Sequence, residues 1–206
     1  KEMVDFFNST FPDFADFVNS GKKFIHYTAA PTAQDIIRGE QIWMRNAKVM
    51  NDVNEIEHGI SIIDTYLNSD NCKLKNTLNS IDDGIFENFL EYWKLYSREF
   101  SSQIYLSCMS EYDEHYHNGK LSMWRAYGGE NGVGLVFNSD FLLNEFTSEY
   151  PVYSTKVYYN GEVYVPNFLD QLSEKISIKE FSPNDWSALR HMLCWRCGIL
   201  ATSVKD

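Results

Sequence analysis

Cysteine, proline and glycine are all scarce in this chain of 206 residues, with 4, 5 and 11 copies. The cysteines, Cys72, Cys108, Cys194 and Cys197, are too few and too unevenly placed for the disulfide framework of a small secreted domain. Reduced thiols in a cytoplasmic protein are the expected state. Low Gly and Pro, with 44% hydrophobic and 16% aromatic residues, exclude collagen-like, low-complexity and disordered chains. Basic residues are also in deficit: 18 Lys and Arg face 29 Asp and Glu, for a net charge of −11. That balance argues against a broad groove for a nucleic-acid backbone, although not against a small local site. No apolar run approaches the roughly 18 residues of a membrane-spanning helix, so no membrane partner is expected. Missing too are the phosphate-cradling G-x-x-x-x-G-K-[ST] and G-x-G-x-x-G loops, the G-x-S-x-G nucleophile elbow and the His-Glu-x-x-His zinc motif.

What is present reads as one α+β domain over 23–206, preceded by a helical segment over 1–22. Phe6, Phe7, Phe11, Phe14 and Phe17 recur at mixed helical spacing around Pro12, predicting one or two short helices. Phe24–Tyr27 is a β-prone run. Thr32-Ala-Gln-Asp35 has the form of a capping box, with Ile36 and Ile37 on the apolar side and Gly39 at the end. Gln41–Met44 is a second candidate strand. A helix is expected over 54–67, and a long amphipathic one over 74–100, weakened locally at Gly84. Alternation from Gln103 to Met109 predicts a strand. Leu121–Tyr127 predicts a helix and Gly132–Phe137 a strand. Asn160-Gly161, inside Lys156–Val165, predicts a hairpin with a tight turn. Ser182-Pro183 starts a last helix. Irregular interleaving of helices with hairpin-like pairs favours α+β, with split antiparallel-rich sheets flanked by helices, over a doubly wound parallel sheet.

Four clusters have the residue types that chemistry needs. His26-Tyr27-Thr28 ends a strand, where a ring nitrogen and a hydroxyl can hold ligand hydroxyls; a histidine there equally serves as a turn or core residue. Asn51-Asp52-x-x-Glu55 can turn carboxylates to one pocket, while the same spacing suits a helix cap. Ser110-Glu-Tyr-Asp113 follows a strand, a common place for binding residues and for ordinary turns. Trp124 and Tyr127, three apart, can stack on a flat ring or simply pack in the core. Metal readings are weak. His191-x-x-Cys194-x-x-Cys197 offers three ligands where structural zinc wants four, and it coincides with an apolar stripe; His115-Tyr-His117 is no stronger. No metal is expected.

In order along the chain, H-Y-T, N-D-x-x-E, S-E-x-D, M-W-x-x-Y and G-V-G-L-V-F resemble a large bacterial family of domains of unknown function over roughly Phe24–Phe137. That family looks distantly related to the NAD-dependent ADP-ribosyltransferases. The resemblance implies an ADP-ribosyltransferase-like fold, NAD as substrate, and a protein or nucleic-acid acceptor. It assigns His26 and Thr28, with Tyr27 beside them, to the ribose or nicotinamide. Trp124 or Tyr127 becomes the stacking ring, and Ser110 and Asp113 border the pocket. Asn51, Asp52 and Glu55 orient substrate or stabilise charge, making His26, Asp52 and Glu55 the catalytic candidates. Breaking the nicotinamide–ribose bond builds positive charge on the sugar, which a nearby carboxylate stabilises.

Two departures qualify the resemblance. The chain ends at Val204-Lys205-Asp206, where family members continue into a glutamate-bearing run, so a truncated chain without that carboxylate is one expectation. The family's S-F-S falls on Ser107-Cys108-Met109-Ser110, which leaves the match there uncertain by a residue. Three classes of function follow: a transferase or toxin, a non-catalytic nucleotide- or metabolite-binding sensor, and an interaction domain in a phage-defence or stress system.

Overall fold

The computed structural model describes residues 21–49, 53–115, 118–139, 154–179 and 181–205. These fall into two compact units. The described residues of Pro12–Arg45 and Tyr105–Ser154 form a sheet unit, and those of Asn46–Ile104 and Thr155–Asp206 a helical unit. Helices and small sheets share the chain without regular alternation, an α+β arrangement. The N-terminal helices expected between Val4 and Phe17 lie outside the described residues.

In the sheet unit, β1 (Lys23–Ala29) is the middle strand, with β4 (Ser110–Glu111) and β5 (Gly132–Asn138) antiparallel on either side. Pairing runs from Lys23 opposite Asn138 to Ala29 opposite Gly132. Helix α1 (Ala30–Gly39) follows β1 directly. It begins two residues before the expected Thr32 cap, with Ala29 at the N-cap and no side-chain cap bond. Pro31 explains the early start: its fixed φ suits the first turn and its missing N–H is not needed there. Ile36 is buried, whereas Ile37 is 65% exposed and does not join the apolar side. Gln41–Met44 adopts no regular structure, and only Arg45–Asn46 (β2) is extended. The expected strand over 103–109 shrinks to Tyr105–Leu106 (β3). Short helix α5 (Leu121–Met123) passes into a π-helical turn over Trp124–Gly128 and a 3₁₀ turn over Gly129–Asn131 before β5.

The helical unit contains α2 (Val53–Leu67), α3 (Lys73–Ile81), α4 (Ile85–Gln103), α6 (Gly161–Lys179) and α7 (Trp186–Ser203). The single helix expected over 74–100 is two. Asp82–Gly84 breaks it, and Gly84 takes φ +81, a conformation open to glycine at little cost. The expected hairpin around Asn160-Gly161 is also corrected. Asn160 turns with φ 76, its carbonyl accepts from the Val163 and Tyr164 amides, and Gly161 opens α6. Val165, Phe168, Leu169, Leu172 and Ile176 form a helical apolar face whose burial outweighs the β propensity of the valines and tyrosines. Tyr158–Tyr159 (β6) pairs in parallel with Val204–Lys205 (β7) rather than with the residues after the turn.

Helix α7 is buried along most of its length, which marks it as the central helix of this unit. Gly59 of α2 meets it so closely that a methyl group there would collide with the Ala201 carbonyl. The 3₁₀ turn Pro183–Asp185 that leads into α7 is capped by Ser182, whose amide and hydroxyl both donate to the Asp185 carboxylate. Buried polar groups find partners in the core: Trp93 Nε1 donates to Asp64 at 2.7 Å and Tyr66 Oη to Asp170 at 2.5 Å. Lys73 Nζ lies 3.1 Å from Asp170.

Cys72, Cys194 and Cys197 are buried, and Cys108 is exposed. Burial holds the first three thiols in their neutral form, with Cys194 pushed up to about 12. Native protein at pH 8 is therefore expected to react with a disulfide-exchange reagent at one thiol, Cys108, and to expose four only after denaturation. Rapid native labelling of a second cysteine contradicts the packing described.

Candidate functional site

The alternation of β1 sorts its side chains onto two faces. Phe24, His26 and Thr28 share one, with cross-strand neighbours Phe137, Leu135 and Val133. All six are half-buried. His26 Nδ1 lies 3.2 Å from the carbonyl oxygen of Cys108. A carbonyl has no proton to give, so Nδ1 carries the hydrogen, and Nε2 of the neutral ring is an acceptor. Thr28, two residues on, sets a hydroxyl about 7 Å further along the same face. The result is an acceptor nitrogen and a hydroxyl on an apolar floor, suited to a ligand that carries hydroxyl groups.

Glu111 pairs with Phe24 across β1–β4, so its side chain belongs to this face as well. It lies diagonal to His26, within reach of a long side chain. Its carboxylate is ion-paired to Lys22. Sequence pattern points to the serine and aspartate of Ser110-Glu-Tyr-Asp113, whereas the strand register singles out the glutamate between them.

Tyr27 belongs to the opposite face. It is 5% exposed, and its hydroxyl accepts from the Lys120 amide at 3.0 Å. Its ring meets Trp124 edge-on at 4.8 Å. Trp124 Nε1 donates to the Asn118 carbonyl at 2.6 Å. Gly132 and Gly134 leave the strand bare beneath the indole: a methyl on Gly132 would lie 3.0 Å from it. The indole is thus committed to packing on the Tyr27 face and is not brought to the His26 face. Ser110 pairs with Ile25 and shares that Tyr27 face too. Asp113 is exposed and accepts from the His115 amide at 2.9 Å, an ordinary turn bond. Tyr127 is 48% exposed. A π-helical turn has more residues per revolution than an α-helix, so positions three apart no longer share a face, and Trp124 and Tyr127 part company.

Glu55 lies in the first turn of α2, in the helical unit, where it forms an ion pair with Lys205. Asn51 and Asp52 lie outside the described residues. Cys194 and Cys197 are core thiols, and His191 is engaged with Tyr92 and Ser187. Among the described residues, no group of three or more His, Cys, Asp or Glu is placed to hold a metal ion, and no helix is long and apolar enough to cross a membrane.

Tyr27 and Trp124 are therefore expected to carry stability, and His26 very little. Trp124→Ala is expected to cost about 3 kcal/mol and Tyr27→Phe about 1 kcal/mol in urea unfolding, with His26→Ala below about 1 kcal/mol. A His26→Ala loss as large as that of Trp124→Ala would assign the imidazole to the core instead. Comparison of the chain with protein-family models, with curated proteins and with solved structures finds no match in any of the three.

Proposed function

We propose that the sheet unit binds NAD and that the protein is an ADP-ribosyltransferase-like enzyme acting on a protein or nucleic-acid acceptor. The observation that carries this reading is the fixed imidazole: the Cys108 carbonyl orients His26 so that Nε2 accepts, beside the Thr28 hydroxyl, on a half-buried apolar face. A ribose diol supplies the donors that such an acceptor needs. The motif order along the chain supports the same reading. His26 and Thr28 hold the sugar, and Glu111 is the carboxylate nearest in register to stabilise positive charge at its anomeric carbon. Tyr27 and Trp124 support the strand from behind and make no ligand contact.

A second reading, a non-catalytic nucleotide- or metabolite-binding module, is favoured by one observation. Glu111, the described carboxylate that could serve at this face, already neutralises a lysine.

Calorimetric titration with NAD, paired with an assay of nicotinamide release, separates these readings. Saturable binding that weakens about tenfold in His26→Ala, the worth of one good hydrogen bond, supports a site at this face. Nicotinamide release that falls in Glu111→Gln while binding persists supports the transferase. Binding without release supports the sensor. No heat with NAD, ADP-ribose or nicotinamide overturns both.

A further inference from the structure

The helical unit contains a second cluster, unconnected with the reading above. Asn88 and Tyr92 lie one turn apart on α4, and Trp186 and Arg190 one turn apart on α7. Trp186 Nε1 and Arg190 Nη1 both donate to Asn88 Oδ1, at 3.1 and 3.0 Å. The Arg190 guanidinium lies 4.3 Å over the Tyr92 ring. The Tyr92 hydroxyl is in turn 2.9 Å from His191 Nε2. Nδ1 of His191 faces the Ser187 carbonyl at 3.1 Å, so Nδ1 carries the proton, and Nε2 accepts from the tyrosine.

Every partner of Arg190 in this array is neutral. No carboxylate among the described residues comes within 4 Å of its guanidinium, in a chain with 29 acidic residues, and its Nε is buried with no acceptor. Stacking and the Asn88 bond fix the plane of the guanidinium, so little further order is lost when its remaining N–H groups engage a ligand. A fixed planar fork with an uncompensated charge matches one group best, a planar carboxylate accepting two parallel hydrogen bonds. The net charge of −11 disfavours a polyanion at the same place.

We infer that Asn88, Tyr92, Trp186 and Arg190 form a binding site for a single carboxylate group of a ligand. Acetate is the probe, titrated into the full chain while the Trp186 indole and Arg190 Nε resonances are followed, with chloride at matched ionic strength as control. The expected result is a saturable displacement of both signals by acetate and none by chloride. Arg190→Lys keeps the charge but loses the fork, and is expected to weaken binding about tenfold or more. Asn88→Asp places a carboxylate on Arg190 from within; it is expected to abolish the acetate response while the fold is kept. Linear shifts equal for acetate and chloride, or a response untouched by Asn88→Asp, would overturn the site. Tighter saturation by inorganic phosphate than by acetate would overturn the carboxylate assignment.

Discussion

The pairing of β1 with β5 decides which side chains of the sheet unit can meet a ligand. Because side chains alternate, a slip of one residue would send His26 and Thr28 to the Trp124 side and Tyr27 to the other. Two features hold the register. Gly132 and Gly134 admit no side chain, since a methyl would collide with the Gly128 backbone at the first and with Ile25 at the second, and Tyr27 takes the Lys120 amide on its hydroxyl. The opposite face then has half-buried residues from β1 and β5, and on it the imidazole is fixed by a backbone carbonyl rather than by a carboxylate. A carboxylate partner would stabilise the doubly protonated ring. A carbonyl acceptor places the proton of the neutral ring on Nδ1 and leaves Nε2 as the acceptor that a hydroxyl-bearing ligand requires.

The helical unit is organised around α7. Its apolar residues fill the core, while its first turns carry the polar array of Trp186, Arg190 and His191 against α4. Burial and directed bonding thus divide along one helix. The C-terminal half is held by packing close enough that Gly59 of α2 admits no side chain, and the N-terminal half by side-chain hydrogen bonds. Thiols on the buried half are kept neutral by desolvation.

Much of this was legible wherever local pattern and tertiary packing agree. The strand at Phe24–Tyr27, the strand from Gly132, the helix from 54 to 67 and the Ser182 cap all follow from spacing. Misreadings arose where one local signal had two outcomes. Asn160-Gly161 suits a tight hairpin turn, but a left-handed asparagine before glycine also opens a helix, and only the face formed by Val165, Leu169, Leu172 and Ile176 decides. Thr32 has a capping residue's chemistry but was preempted by Pro31. Trp124 and Tyr127 read as one face because the count of three assumes an α-helix, and the π-helical turn breaks that phase. At the site, the His26–Thr28 alternation could be read directly. Glu111 could not, because its face depends on a two-residue pairing between strands far apart in the chain, and no signal marks the Cys108 carbonyl.

The protonation pattern of the His26 ring tests the account most directly. Nitrogen-15 spectra of the imidazole in its neutral form are predicted to show a protonated Nδ1 and a bare Nε2, with the Nε2 signal moving when NAD is added. A ring protonated at Nε2 instead, or an Nε2 signal indifferent to saturating NAD, would contradict it.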